Sequence, residues 1–369
     1  MKTNTDFKNN SRSEPWFLTL GIGKEKDSFI TDLSMMLEAG IPIIEALIAL
    51  KKQTASTRLI KIIEQLEEDI SGGMQVWQAF LNSTLLPEYA IALIRVGEES
   101  GRLNDNLKLI ASQEQKDKLL KQRLSSSMSY PILVLSLTAI IGVSLAWFIL
   151  PRLAGVFVNL KLKLPLPTRM LLSATHFLNN WGSLAIPVFI FTFAIFIYIL
   201  FFQKKTKFLG QALLLKTPGI QTLILETELS RFSYLLATML RSGIPIVESL
   251  ELIAKSANFR VYKNIYLALR DNLEEGNSFQ KAFLTLPKAK QYFPPHVQQM
   301  LISAEQSGKL EDTLFVIAKN TEEKSEISTK NLSVILEPVL LVVVWLGVAF
   351  VALAIVLPIY NLIGGLNTP

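Results

Sequence analysis

The sequence has no cysteine and only two histidines among its 369 residues. Without cysteine there can be no disulfide, no thiolate metal site and no cysteine nucleophile. His176 and His296 are far apart in the chain and belong to no catalytic or metal-binding motif. The chain also has no glycine-rich phosphate loop and no serine-nucleophile motif. We therefore predict that this protein is not an enzyme.

Charge is absent from three long windows, at residues 125–150, 181–202 and 338–369. Each window contains an apolar stretch of about 20 residues, which is long enough to cross the hydrocarbon core of a bilayer as a helix. We predict transmembrane helices at residues 129–150, 181–203 and 338–361. Three buried helices of a soluble protein are the weaker alternative, because three such runs rarely coincide in a soluble chain.

Basic residues border these windows and predict the orientation of the chain. Lysines and arginines cluster at residues 116–123, 204–216 and 319–330, all on one side of the membrane if the three helices alternate. The positive-inside rule then places the N-terminus and the polar regions in the cytoplasm and the C-terminus outside. The net charge of +6 thus favours anionic lipid headgroups as partners, not nucleic acid.

The polar part of the chain is duplicated. The stretch AGIPIIEAL at Ala39–Leu47 returns as SGIPIVESL at Ser242–Leu250, an offset of 203 residues. The stretch GEESGRL at Gly97–Leu103 returns as AEQSGKL at Ala304–Leu310, an offset of 207 residues. A duplication of this length predicts two domains of the same fold.

The apolar periodicity within each copy predicts helices. Phe29, Leu33 and Leu37 recur at the spacing of one helical face, and no alternating run indicates a strand. We therefore predict an all-α membrane protein with the following segments: a polar tail at residues 1–28, a helical domain at 29–124, transmembrane helices at 129–150 and 181–203 joined by an extracytoplasmic loop at 151–180, a repeat of the helical domain at 204–335, and a transmembrane helix at 338–361.

The first repeated motif has the composition of a turn between two helices. Its candidate residues are Gly40, Pro42 and Glu45, with Gly243, Pro245 and Glu248 in the second copy. The glycine is suited to end one helix in the left-handed conformation, and the proline is suited to the first position of the next. The glutamate then lies near a helix N-terminus, where the helix dipole favours an anion. This structural role accounts for all three residues, and contact with a partner is the alternative.

The second repeated motif places a carboxylate where a helix disfavours one. Gly101 and Gly308 are suited to cap the C-terminus of a helix. Glu98 and Glu305 then fall in the last helical turn, where the dipole opposes a negative charge. Because the same exception occurs in both copies, we expect a compensating cation or partner.

A divalent cation such as calcium is one possible partner, and we expect no other cofactor. Asp105 and Asp312 follow their glutamates by seven residues, so Asp105 could join Glu98 in supplying oxygen ligands. The sequence leaves two alternatives, capping of a neighbouring helix or pairing with a basic residue: Arg95, Arg102 or Lys309. Exposed charges at this motif, including Arg102 and Asp312, are candidate partner contacts.

These motifs and their order resemble the type II secretion system protein F family, the inner-membrane platform proteins of type II secretion, type IV pilus and competence-pilus machines. The resemblance covers residues 25 to 362 and includes Pro151 and Pro358, at the ends of the first and third predicted spans. In one departure, Ala304 replaces the glycine found at Gly97, so we expect the second turn to pack differently.

The resemblance implies two homologous six-helix cytoplasmic bundles and three transmembrane helices in the inner membrane. It implies a scaffold that forms homo-oligomers, contacts other inner-membrane assembly proteins, and couples a cytoplasmic hexameric ATPase to the assembly of pilin or pseudopilin subunits. Some family members bind calcium in the first domain, which implies the same role for Glu98 and Asp105 here.

The alternative function is that of an oligomeric membrane pore or a transporter subunit. Ion and proton paths usually require ionisable side chains at membrane depth. The three windows contain none, and Glu337 at the border of the third is the nearest. The two large polar domains therefore favour a platform.

Overall fold

The computed structural model describes residues 23–83, 85–145, 207–217, 219–286 and 289–365, with a few isolated positions between 148 and 195. Over these residues the chain is helical and contains no strand. The predicted second transmembrane helix, the loop that precedes it, Pro151 and the tail before residue 23 lie outside the described residues.

Within the described residues, the first repeat contains six helices. They are α1 (Gly23–Glu38), α2 (Ile43–Gln53), α3 (Thr57–Ser71), α4 (Val76–Ser83), α5 (Glu88–Glu99) and α6 (Leu103–Ser144). Helix α1 begins six residues before the predicted start of the domain, because the polar segment 23–28 extends its first turns. The six helices agree with the bundle that the family resemblance implies.

The second repeat has the same six helices and one extra turn. The helices described from residue 207 onwards are α7 (Lys207–Leu214), α8 (Ile220–Arg241), α9 (Ile246–Ser256), α10 (Arg260–Glu274), α11 (Phe279–Thr285), α12 (Ala289–Tyr292), α13 (Pro295–Ser307) and α14 (Leu310–Gly365). Helix α7 precedes the repeat. Helix α12 is the extra turn, in the connection between the helices that match α4 and α5.

The apolar faces predicted from the periodicity form the core. Phe29, Leu33 and Leu37 on α1 are at most 6% exposed, and Tyr262 and Leu269 on α10 are at most 2% exposed. A single cluster of buried apolar side chains runs through both repeats. Burial of this area is the main favourable contribution to folding, and it joins the two repeats into one body.

Two helices are shared between a domain and an apolar window. Helix α6 contains 42 residues and α14 contains 56, and neither is interrupted where the charged sequence ends. Only 6% and 12% of their apolar windows are buried, so these segments are available to lipid. Both helices are long and apolar enough to span a membrane, which agrees with the first and third predicted spans.

Pro358 lies inside α14, which continues to Gly365. Pro131 and Pro338 also lie inside α6 and α14. A proline removes one backbone hydrogen bond from a helix interior. In an apolar environment every other backbone group still requires an internal partner, and this favours continuation of the helix.

The two repeats are joined by ion pairs as well as by the core. Among the described residues, the pairs that cross between them include Glu88–Lys255 at 3.2 Å, Arg95–Glu248 at 3.1 Å, Lys116–Glu322 at 2.7 Å and Arg123–Glu326 at 2.6 Å. The last two occur in the same order along α6 and α14, so these helices run in the same direction. The apolar windows of both helices therefore begin on the same side of the two repeats.

Glu228 on α8 is a buried carboxyl group that is only 4% exposed. Burial raises its pKa from the ordinary 4.5 to about 7, which Arg231 opposes and Asp117 reinforces. The folded chain therefore holds this proton to a higher pH than the unfolded chain does. The contribution to stability is largest below pH 4.5 and is lost as the pH rises to about 7.

We predict that Glu228→Gln removes this pH dependence. At pH 8 the variant should be more stable than the wild type by about 3 kcal/mol, since glutamine has no proton to lose, and at pH 5 the difference should be small. Thermal unfolding of the full-length protein in detergent between pH 5 and 8 measures the effect. The control is Glu323→Gln, which changes an exposed carboxylate of α14. Equal slopes for wild type and Glu228→Gln would contradict the prediction.

Candidate functional site at the distal turns

The repeated motifs lie together at one end of each repeat. Helices α6 and α14 begin at Leu103 and Leu310, and each reaches its first interior proline, Pro131 or Pro338, 28 residues later. At 1.5 Å per residue, their first turns lie about 42 Å from these prolines. We call this the distal end.

The turn of the first motif is held at the distal end by the start of α6. The Asn104 side-chain amide donates to the Leu37 carbonyl oxygen at 3.2 Å, and Lys108 pairs with Glu38. In the second repeat, Arg241 pairs with Glu311 in the corresponding way. Both motifs of each copy therefore belong to one surface, although about 60 residues separate them in the sequence.

Gly40 and Gly243 end their helices as predicted. Their φ angles are +83° and +89°, in the left-handed region that favours glycine. The Gly40 N–H donates to the Leu37 carbonyl oxygen, and the Ile41 N–H donates to that of Met36, both at 3.0 Å. This is the Schellman arrangement, which gives the last carbonyl groups of the helix their partners.

Pro42 lies one residue earlier than predicted. It is the residue before α2, with extended backbone at ψ 144°, and its carbonyl oxygen accepts the first helical bond from Ala46 at 2.9 Å. Pro245 has the same place before α9. Glu45 and Glu248 fall in the first turns of α2 and α9, where the helix dipole favours them.

The carboxylates of the second motif cap a neighbouring helix. Glu98 accepts hydrogen bonds from the backbone N–H groups of Val76 and Trp77, at 2.9 and 3.1 Å. Glu305 accepts the N–H of Phe279 with both carboxylate oxygens, at 3.2 and 3.0 Å. The favourable N-terminal dipole of α4 or α11 thus compensates for the unfavourable C-terminal position of the glutamate in its own helix.

Helix capping was one of the alternatives that the sequence left open. Glu98 does not pair with Arg95, because Arg95 pairs with Glu248 of the other repeat. A sequence signal was available: α4 is preceded by Gln75, which is not a favoured N-cap residue. The first N–H groups of a helix without a local cap need a hydrogen-bond acceptor from elsewhere in the chain.

Asp105 and Asp312 are exposed in the first turns of α6 and α14. Arg241 lies 4.0 Å from Asp312. Within the described residues, no group of three or more acidic or histidine side chains is placed to hold a metal ion. A cation held by Glu98 and Asp105 remains a prediction, and both oxygens of Glu98 already accept N–H groups.

Gly97 and Ala304 form the same turn. The N–H of Arg102 donates to the Gly97 carbonyl oxygen at 2.7 Å, and the N–H of Lys309 donates to that of Ala304 at 3.0 Å. The expected difference lies behind the turn. A Cβ atom at Gly97 would come within 3.0 Å of the Leu103 Cα and 3.1 Å of the Asn106 amide nitrogen, so glycine leaves room for the start of α6 and for the buried Asn106.

Asn106 joins the two repeats, and the sequence did not reveal this role. Its amide donates to the Leu93 carbonyl oxygen at 2.8 Å, and its oxygen accepts from the Ser242 hydroxyl at 3.1 Å. Ser242 begins the SGIP turn of the second repeat. That turn therefore contacts the first repeat where α6 begins, beside the Arg95–Glu248 pair.

We predict that Glu98→Ala lowers the stability of the folded protein by about 1–3 kcal/mol, because two backbone N–H groups lose a charged acceptor. Glu305→Ala should have a similar effect in the second repeat. Glu99→Ala is the matched control, since Glu99 is the exposed neighbour, and should stay within about 0.5 kcal/mol of the wild type. Thermal unfolding followed by circular dichroism measures all three, and equal midpoints for Glu98→Ala and Glu99→Ala would contradict the capping role.

Comparison with known proteins gives a consistent result. The chain matches the family described as type II secretion system (T2SS), protein F, over residues 29–151 and 232–358. It is 28% identical to the type IV pilus assembly protein PilC of Thermus thermophilus, over 93% of this chain and 84% of that protein. It is 29% identical to the type II secretion system protein F of Pseudomonas aeruginosa, over 89% and 80%. It is 26% identical to the protein transport protein HofC homolog of Escherichia coli, over 92% and 84%.

The two matched ranges correspond to the two structural repeats and the apolar helices that leave them. Each range begins at a phenylalanine that is buried in the core, Phe29 or Phe232. The family match, the duplicated turns and the paired helical bundles agree, and the chain belongs to the type II secretion system protein F family.

Proposed function

We propose that this chain is the inner-membrane platform protein of a type II secretion or type IV pilus machine, where it couples a cytoplasmic hexameric ATPase to the assembly of pilin or pseudopilin subunits. Family membership and relatives named for secretion, pilus assembly and protein transport support a part in such a machine. The observation that carries the coupling role is the pair of unbroken helices, α6 and α14, that join the distal turns to the apolar windows.

These helices suit a coupling role because they are held together. The ion pairs Lys116–Glu322 and Arg123–Glu326 cross between them on the stretch that precedes the apolar windows. Partly exposed pairs contribute little stability individually, so they serve mainly to set the register between the helices. A displacement at the distal end would then move both helices as one unit.

The proposed topology places both repeats and the N-terminus in the cytoplasm and the C-terminus on the other side. The basic clusters support this orientation through the positive-inside rule. The parallel direction of α6 and α14 agrees with two repeats on one side of the membrane. A scaffold of this kind acts through contacts and needs no catalytic residues.

One apolar side chain is exposed at the same position of both repeats. Leu81 on α4 is 48% exposed and Leu284 on α11 is 81% exposed. Outside the apolar windows, no other large apolar side chain in the described residues is exposed in both repeats. A partner that presents several equivalent sites, such as a hexamer, could receive both leucines in the same way.

We predict that the double variant Leu81→Asp, Leu284→Asp binds the co-expressed assembly ATPase at least tenfold more weakly than the wild type. Each substitution removes an apolar contact worth about 1.5–3 kcal/mol when fully buried. Capture of the ATPase by the tagged full-length protein in nanodiscs measures the effect. The control is Gln78→Asp, Gln280→Asp, which adds the same charges to exposed polar positions of the same two helices.

The outcomes separate the contact from the function. Loss of capture in the leucine variant alone supports the platform role and places the contact on α4 and α11. Equal loss in both variants would assign the effect to charge and remove the leucines from the interface. If the wild type captures neither the ATPase nor pilin-like subunits, the platform role fails and an oligomeric pore becomes the better explanation.

A further inference from the structure

The same turn has different surroundings in the two repeats. In the second repeat Ile244 is 3% exposed and Thr238 is 1% exposed. The corresponding residues of the first repeat, Ile41 and Met35, are 36% and 60% exposed. The SGIP turn is thus covered, whereas the AGIP turn presents apolar side chains to solvent.

The SGIP turn is covered in part by a groove between α5 and α6 of the first repeat. Ser242 bonds to Asn106 there, and Glu248 pairs with Arg95. The middle of helix α5 is consequently enclosed, and every residue from Tyr89 to Ile94 is buried. A helix that is apolar all round is typical of an element enclosed by packing.

The corresponding groove of the second repeat, between α13 and α14, is open. Only Val297, Leu301 and Ala304 of α13 are buried. The residues that line the open groove include Met300, Ser303, Ala304, Ser307, Lys309 and Thr313. With the offset of 207 residues, Ala304 and Thr313 correspond to Gly97 and Asn106 of the covered groove.

The contact between turn and groove within the chain is therefore not reciprocal. The turn of the second repeat occupies the groove of the first, which leaves the turn of the first repeat and the groove of the second without this contact. We propose that these two surfaces bind each other between copies, so that the AGIP turn of one chain docks in the α13–α14 groove of the next. The occupant of the groove is a second copy of this chain.

The side chains on the two surfaces suit this contact. Ala39 corresponds to Ser242 and Thr313 to Asn106, so one methyl group replaces the hydroxyl that donated within the chain. Ala39 has no polar side-chain atom, so docking leaves no side-chain donor of the turn unpaired. The exposed Met35 and Ile41 would cover Met300, one of the residues that line the groove.

The open groove is more polar than the covered one, as an interface between separately folded copies should be. Non-obligate interfaces are about as polar as the rest of a protein surface, whereas a contact formed during folding resembles a core. A turn-into-groove contact is heterologous, and repetition of such a contact gives a ring or an open row. Because α6 and α14 run in the same direction, successive copies could keep one orientation in the membrane.

The experiment uses the absence of cysteine from the natural sequence. Full-length Ala39→Cys and Thr313→Cys single variants, with different tags, are mixed in detergent, reconstituted together and oxidised. We expect a disulfide-linked dimer that contains both tags, and neither variant should form it alone. A chain that carries both substitutions should give a ladder of higher oligomers. The pair Asn106→Cys, Ser242→Cys is the control for the contact within one chain, and it should add no intermolecular link.

A second variant tests the turn without cross-linking chemistry. Adding Met35→Asp to the Ala39→Cys chain should reduce the mixed dimer at least tenfold, whereas Leu119→Asp, at an exposed apolar position on α6, should leave it unchanged. No mixed dimer from the parent pair, or a dimer that Met35→Asp does not reduce, would overturn the proposal. The assay contains no ATPase, so its result is independent of the coupling role.

Discussion

A single carboxylate in each repeat joins two helix ends that would otherwise be unfavourable. Glu98 lies in the last turn of α5, where the dipole opposes it, and it accepts the free N–H groups at the start of α4. The negative charge of Glu98 is unfavourable at the C-terminus of α5 but favourable at the positive N-terminal end of α4. The position of α4, the turn at Gly101 and the start of α6 all depend on this contact, and Glu305 repeats it.

Much of the fold follows from local rules that a single sequence displays. The spacing of Phe29, Leu33 and Leu37 marks a buried face, and the glycine at position 40 marks the end of a helix. Both features act over a few residues, so they are visible without knowledge of the tertiary structure. The uncharged windows act in the same way, because the length of an apolar run is itself the physical requirement for crossing a bilayer.

The remaining features depend on groups that are distant in the sequence. The glutamate at position 98 finds its partner 22 residues away, and Asn106 bonds to Ser242 across 136 residues. Hydropathy divides the chain where the charged region ends, whereas backbone hydrogen bonding continues the helix through that point. The sequence therefore did not reveal that the last helix of the domain and the apolar span form one helix, α6. Pro131 and Pro338 show a related effect, since the local preference of proline against a helix interior is overridden by the surroundings of the helix.

The length of α6 and α14 gives the protein a mechanical property. Each helix extends about 42 Å from its first turn to the interior proline, and the two are clamped side by side along part of that length. They form a lever that joins the apolar segments to the distal turns. A tilt of roughly 10° about the membrane border would move the distal turns by about 7 Å, more than one helical turn. A small rotation of the apolar segments would thus become a displacement of several ångströms at the distal turns.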